Sequence, residues 1–171
     1  MAADRRGDDS FAVAACATRR LVLLGFALAL PIRPALGQAI GLSDEIIADP
    51  NSGAALFGFD PVAYFLEERA VPGRVQLQTI HAGRVWHFAS PANQAAFEAD
   101  PQPYVPAFGG HDPLGIAAGF AVAGNPQTFA VSDKRLFLFR DDNSRAIFLR
   151  DPARLDLAER NWPLVRRDMV P

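Results

Sequence analysis

The chain is 171 residues long, half of them hydrophobic, with a formal net charge of −2. That supplies apolar material for one substantial core and sets one domain as the expectation. Its 17 basic and 19 acidic residues include no basic run, which excludes nucleic acid and anionic lipid as partners.

The first segment reads as a leader. Thr18-Arg19-Arg20 precedes ten apolar residues, Leu21 to Leu30, too few for the roughly 20 that cross a bilayer but suited to a signal-peptide core. Pro31 and Pro34 break the run, and Ala35-Leu36-Gly37 places small residues at cleavage spacing. Residues 1–37 are therefore expected to be removed, with the mature chain starting near Gln38. The paired arginines resemble a twin-arginine export signal, with Sec export as the alternative route. The expected location is the periplasm or the exterior, with no membrane anchor left after cleavage. The leader holds five of the basic and three of the acidic residues, so the remainder carries a net charge of −4. It also holds the only cysteine, Cys16, so the mature chain has neither an intramolecular disulfide nor a thiolate metal site.

Residues 38–53 read as an N-terminal extension, with a brief helix from Ser43-Asp44-Glu45 through Ile47 that stops at Asp49-Pro50. The domain is expected over residues 54–163. Phe57 to Pro61 forms a turn, and Val62 to Leu66 a short strand or single helical turn. Val75, Leu77 and Thr79 alternate with Gln76, Gln78 and Ile80 as a half-buried strand. Ala82-Gly83 turns the chain into a second strand, Arg84 to Phe88, with Trp86 and Phe88 on one face. Ser90-Pro91 is a helix start, a capping serine followed by a proline suited to the first turn. Alanines 92, 95, 96 and 99 then recur at helical spacing until Asp100-Pro101.

Gly115 and Gly119 are spaced for close backbone packing, and Gly124-Asn125-Pro126 is a turn. Phe129 to Val131 and Leu136 to Phe139 form a second hairpin across Ser132-Asp133-Lys134. A helix capped by Ser144 follows, then another capped by Asp151 with Leu155, Ala158 and Trp162 on one face. Pro163 is expected to end it, leaving residues 164–171 as a tail. The sequence presents no linker, repeat or low-complexity tract.

These marks in this order resemble the YHS-domain family in its exported bacterial form. They are Gly58 to Phe65, Pro72-Gly73, Trp86 to Ser90 with Asn93 and Phe97, Asp100-Pro101 with Tyr104 and Pro106, Gly109-Gly110, Leu136 to Phe139 and Asn161-Trp162-Pro163. The resemblance covers residues 54–163 and implies a small single α+β domain of β-hairpins packed on short helices. Relatives attached to copper-transporting ATPases and some oxygenase components carry cysteines thought to bind metal. The matching positions here are Ala63, Ala89 and Asn93, and exported relatives often have a cysteine where this chain has His111-Asp112. Alanine offers no donor atom and asparagine is a poor ligand for soft metals, so that role does not carry over.

Three histidines remain as chemistry. His111-Asp112 follows a Gly-Gly turn, and with His87 it forms the one candidate set for a divalent metal. The competing reading makes Asp112-Pro113 a helix-capping step, His87 a partly buried strand residue and His81 a solvent-facing residue at a hairpin tip. No nucleophile elbow, zinc-protease pair, P-loop or dinucleotide fingerprint is present. The leading expectation is a non-enzymatic exported module, without a cofactor, that binds a small ligand or a protein partner. A periplasmic metal-handling protein and a small enzyme with a dispersed site are the alternatives.

Overall fold

A computed structural model describes residues 45–169, which all fall within one compact unit. The expected leader, with Cys16 and the expected cleavage site, lies outside the described residues. The fold is α+β, with two antiparallel two-stranded sheets and five helices among the described residues. No helix among them is long and apolar enough to cross a membrane.

The chain builds one motif twice. A 3₁₀ turn, Leu56–Gly58, and a single helical turn, α1 (Ala63–Leu66), lead into a hairpin of β1 (Arg74–His81) and β2 (Arg84–Phe88), followed by α2 (Pro91–Ala99). A second 3₁₀ turn, Ala107–Gly110, and α3 (Pro113–Ala117) then lead into β3 (Asn125–Ser132), β4 (Arg135–Phe139) and α4 (Asp142–Arg150). Every boundary of the second hairpin and its helix lies 51 residues after its counterpart. The ladders agree as well. Arg74 pairs with Phe88 before a register shift at Gln78, and Asn125 pairs with Phe139 before a shift at Phe129.

This repeat was not visible in the sequence, and the physical reason is local. Gly109 is an extra residue in the second 3₁₀ turn, and the loop Glu67 to Arg69 is answered by the shorter Gly119-Phe120, so the offset changes and then recovers. What both repeats retain is what the motif needs: Phe57 and Phe108, both at φ +54°, Gly58 and Gly110, Asp60-Pro61 and Asp112-Pro113, Phe88 and Phe139, Phe97 and Phe148. Gly73 and Gly124 also correspond. A Cβ on Gly73 would come within 2.5 Å of the His87 backbone, and one on Gly124 within 2.7 Å of Leu138 Cβ, so each glycine lets the chain cross its own second strand.

Each repeat has an aromatic cluster. Trp86, Phe88 and Phe97 centre the first, and Phe137, Phe139 and Phe148 centre the second. Strand β4 joins them, because Leu136 and Leu138 from its other face enter the first cluster. Its unbroken apolar run thus has both faces buried. On β1 the partly buried face carries Leu77, Thr79 and His81, whereas Val75 and Ile80 are exposed.

The last helix, α5 (Ala153–Met169), is an addition to the repeat and packs along α3. Asn161 Nδ2 donates to the carbonyls of Ile116 (3.3 Å) and Ala117 (2.9 Å), satisfying acceptors at the end of α3. Pro163 lies inside α5 and does not end it. A proline removes one N–H from the ladder, but burial of Val165 in the second cluster and the Arg166–Glu45 pair at 3.2 Å hold the helix beyond it. Residues 164–169 are therefore helix, where a tail was expected.

The N-terminal boundary also moves. Ile46 and Ile47 are buried in the first cluster, and the described part of the expected extension contains no helix. Ile47 N donates to Gly109 O at 2.9 Å and Leu56 N to Ile47 O at 3.0 Å, which ties this segment to both 3₁₀ turns. Two helix details are corrected too. Asp141, not Ser144, caps α4, accepting from Ser144 N at 2.7 Å. Gly119 meets nothing within 4 Å and serves its positive φ of +91°, so close packing is confined to Gly115.

Candidate functional site

The three candidate metal ligands have separate employments. Asp112 is fully buried as the cap of α3, its Oδ1 accepting from Leu114 N at 3.2 Å. Ser144 Oγ reaches its two oxygens at 2.6 and 2.7 Å, and Arg140 Nε lies 3.6 Å from Oδ2. The neighbouring His111 is buried, with Nδ1 3.0 Å from Phe108 O and its ring 6.1 Å from that of Trp162. A carbonyl only accepts, so Nδ1 carries the proton in this arrangement. His87 sits in the other repeat, on β2, where a Cβ at Gly58 would lie 3.3 Å from its Nδ1. Among the described residues, no group of three His, Cys, Asp or Glu side chains is placed to hold a metal ion. His81 is half-buried instead of solvent-facing, with its ring edge-on to Phe97 at 5.6 Å.

Burial lowers the pKa of His111 below its ordinary 6.5, against smaller opposing contributions from the Phe108 carbonyl and Glu45. The sign follows from linkage. The folded state binds its proton less readily than the unfolded chain, so this contribution is complete above pH 6.5 and is lost as pH falls toward the depressed folded value. The first repeat holds Phe59 at the matching position. His111→Phe is therefore expected to reduce the loss of stability between pH 7.5 and pH 5.5, measured as urea midpoints; an unchanged loss would remove His111 from the acid response.

One ligand-sized concavity lies where the repeats meet. A pocket of about 400 Å³ is lined by Tyr64, Phe65 and Glu68 from α1 and its following loop, and by Phe129 and Val131 from β3. Such a volume is in the range of small-molecule sites. Tyr64 is its buried floor. Its hydroxyl donates to Pro126 O at 2.9 Å, and its ring meets Phe129 edge-to-face at 4.8 Å. Burial, and secondarily the charge of Asp60, pushes the Tyr64 pKa well above the ordinary phenol value, so the hydroxyl stays protonated. Phe65 is held by Tyr104, edge-on at 5.6 Å.

A second cleft of about 450 Å³ runs along Ile46 to Pro50, with Phe57, Arg84 and His111 in its walls. Its wall is continuous with chain before residue 45, outside the described residues. The five residues of the aromatic pocket are all described. No local sequence pattern marks these five residues as a set. Tyr64 and Phe129 are distant in the chain, and only the second hairpin's docking onto α1 brings them together.

Comparisons with family models, curated proteins and solved structures find no match to the chain.

Proposed function

We propose that this chain is an exported, non-enzymatic binding module of the YHS type that takes a small ligand in the pocket between α1 and β3. The observation that carries the reading is the pocket itself: aromatic side chains drawn from both repeats border an open concavity of about 400 Å³, beside the Glu68 carboxylate. Both repeats keep the aromatic clusters and buried aspartates that build the fold. The pocket residues differ between them, since Ile116 and Ala117 stand where the first repeat has Tyr64 and Phe65. The fold therefore does not require this aromatic set. The pocket also contains no nucleophile–base pair, which favours binding over catalysis.

The test is an NMR titration of the isotopically labelled exported protein with a panel of four- to eight-carbon amines, alcohols and carboxylates. Saturable shifts confined to residues 64–68 and 129–131 are expected. Shifts centred instead on His111 and Phe57 would transfer the function to the other cleft.

A further inference from the structure

Resting on that reading, we propose that the pocket binds an alkylated ammonium cation, its charge met by the Glu68 carboxylate and its alkyl groups lying against Phe65, Phe129 and Val131 over the buried Tyr64 floor. The lining contains three aromatic rings, one valine and one carboxylate, with no basic side chain. Ring faces are negative and attract cations, most effectively ones whose weak hydration makes desolvation inexpensive. Metal ions fit poorly, because one carboxylate cannot replace a shell of six or more oxygens. A primary ammonium would present three donors to a lining whose side chains offer only the Glu68 carboxylate and the buried Tyr64 oxygen as acceptors. An alkylated nitrogen has few N–H groups to satisfy and much apolar surface to bury.

Glu68 is set up for this role in two independent ways. Among the described residues it has no ion-pair or hydrogen-bond partner, although its neighbour Glu67 is paired with Arg69. It also occupies left-handed backbone at φ +52°, in the loop where the second repeat uses Gly119 at φ +91°. A glutamate there costs roughly 1 kcal/mol that a glycine would avoid, so backbone convenience does not account for it. The loop is one residue longer than its counterpart, which carries no acidic residue. The net charge of −4 beyond the leader adds a general attraction for cations.

The experiment compares choline with its uncharged isostere, 3,3-dimethylbutan-1-ol, by NMR titration of the exported protein at low salt. Choline is expected to bind about tenfold more tightly, the size of a cation–π and carboxylate contribution. Glu68→Gln should narrow the preference to the roughly two- to fivefold share that the aromatic rings supply. Val131→Lys, which sets an ammonium beside the carboxylate, should weaken choline more than it weakens the alcohol, reversing the order of the two probes. Both changes are at exposed positions and leave the cores intact. Equal binding in the wild type would overturn the cation assignment and leave the pocket reading standing, whereas no saturable binding of either probe would overturn both. Phosphatidylcholine vesicles separate two sources of the same group. Cosedimentation that choline abolishes assigns the group to a lipid headgroup; choline binding without cosedimentation assigns a free cation.

Discussion

Trp86→Ala should lower the unfolding free energy by about 3–5 kcal/mol, among the largest losses from any truncation in the chain. The indole is fully buried against Phe97, with ring centroids 5.1 Å apart, and is approached by His81 at 6.4 Å. Its Nε1 donates to His81 O at 3.0 Å, linking the side chain to the opposite strand near the hairpin turn. Alanine would remove the apolar burial, leave a cavity that the rigid β1–β2 ladder cannot collapse into, and strip His81 O of that donor. The second repeat supplies the control. Phe137 occupies the matching position, so Trp86→Phe keeps most of the ring packing and should cost about 1–2 kcal/mol. Urea denaturation of both variants checks the ordering, and a cost below about 1 kcal/mol for alanine would mean that Trp86 does not anchor the first cluster.

The parts of the fold legible in the sequence are those decided within a few residues. Alternation put Trp86 and Phe88 on one buried face, and Ser90-Pro91 marked the start of α2, where Ser90 Oγ accepts from Asn93 N at 3.1 Å. The α+β class, which the family resemblance implied, is what the two hairpins and five helices of the described residues form. What escaped depends on distant partners. Ile46 and Ile47 are core residues because the 3₁₀ turn around Gly109 lies against them: a Cβ on Gly109 would meet Glu45 O at 1.8 Å. Pro163 stays within a helix because Val165 is buried farther along it. Trp162, on one helix face with Leu155 and Ala158, is half-buried over Phe108, with ring centroids 5.8 Å apart.

The candidate site divides along the same line. Asp112-Pro113 was legible as a helix-capping step, since a side chain bonding an amide two residues on is a local device. The Ser144 hydroxyl on the same carboxylate is a contact across 32 residues that no local pattern announces. The aromatic pocket is less legible still. Its two walls become neighbours only when the repeats dock, and the repeat itself is obscured by Gly109 and by the shortened loop before Phe120.

The duplicated aspartates give the second large expected effect. Asp60 is fully buried, with Oδ1 accepting from Val62 N at 2.8 Å and Ala63 N at 3.4 Å, and Oδ2 accepting from Ala89 N and Asn93 Nδ2 at 2.7 Å each. One carboxylate thus fastens the start of α1 to the end of β2 and the first turn of α2. Asp60→Ala leaves these donors facing a void, at roughly 1–3 kcal/mol for each that cannot rebond, so a total loss of at least about 3 kcal/mol is expected. Asp60→Asn should rescue little, because its amide presents donors where the site supplies donors. Asp112→Ala should cost less. Asp112 accepts from fewer groups, the Ser144 hydroxyl and Leu114 N, and half-exposed Arg140 can turn to Asp141, whose Oδ2 lies 3.3 Å from its Nε. A double-mutant cycle between Asp60→Ala and Asn93→Ala, followed by urea denaturation, isolates the side-chain pair. Removing Asn93 as well eliminates one of the orphaned donors, so the double variant should lose less than the two single losses combined. Strict additivity, or a cost below about 1 kcal/mol for Asp60→Ala, would show that the fold does not depend on this buried carboxylate.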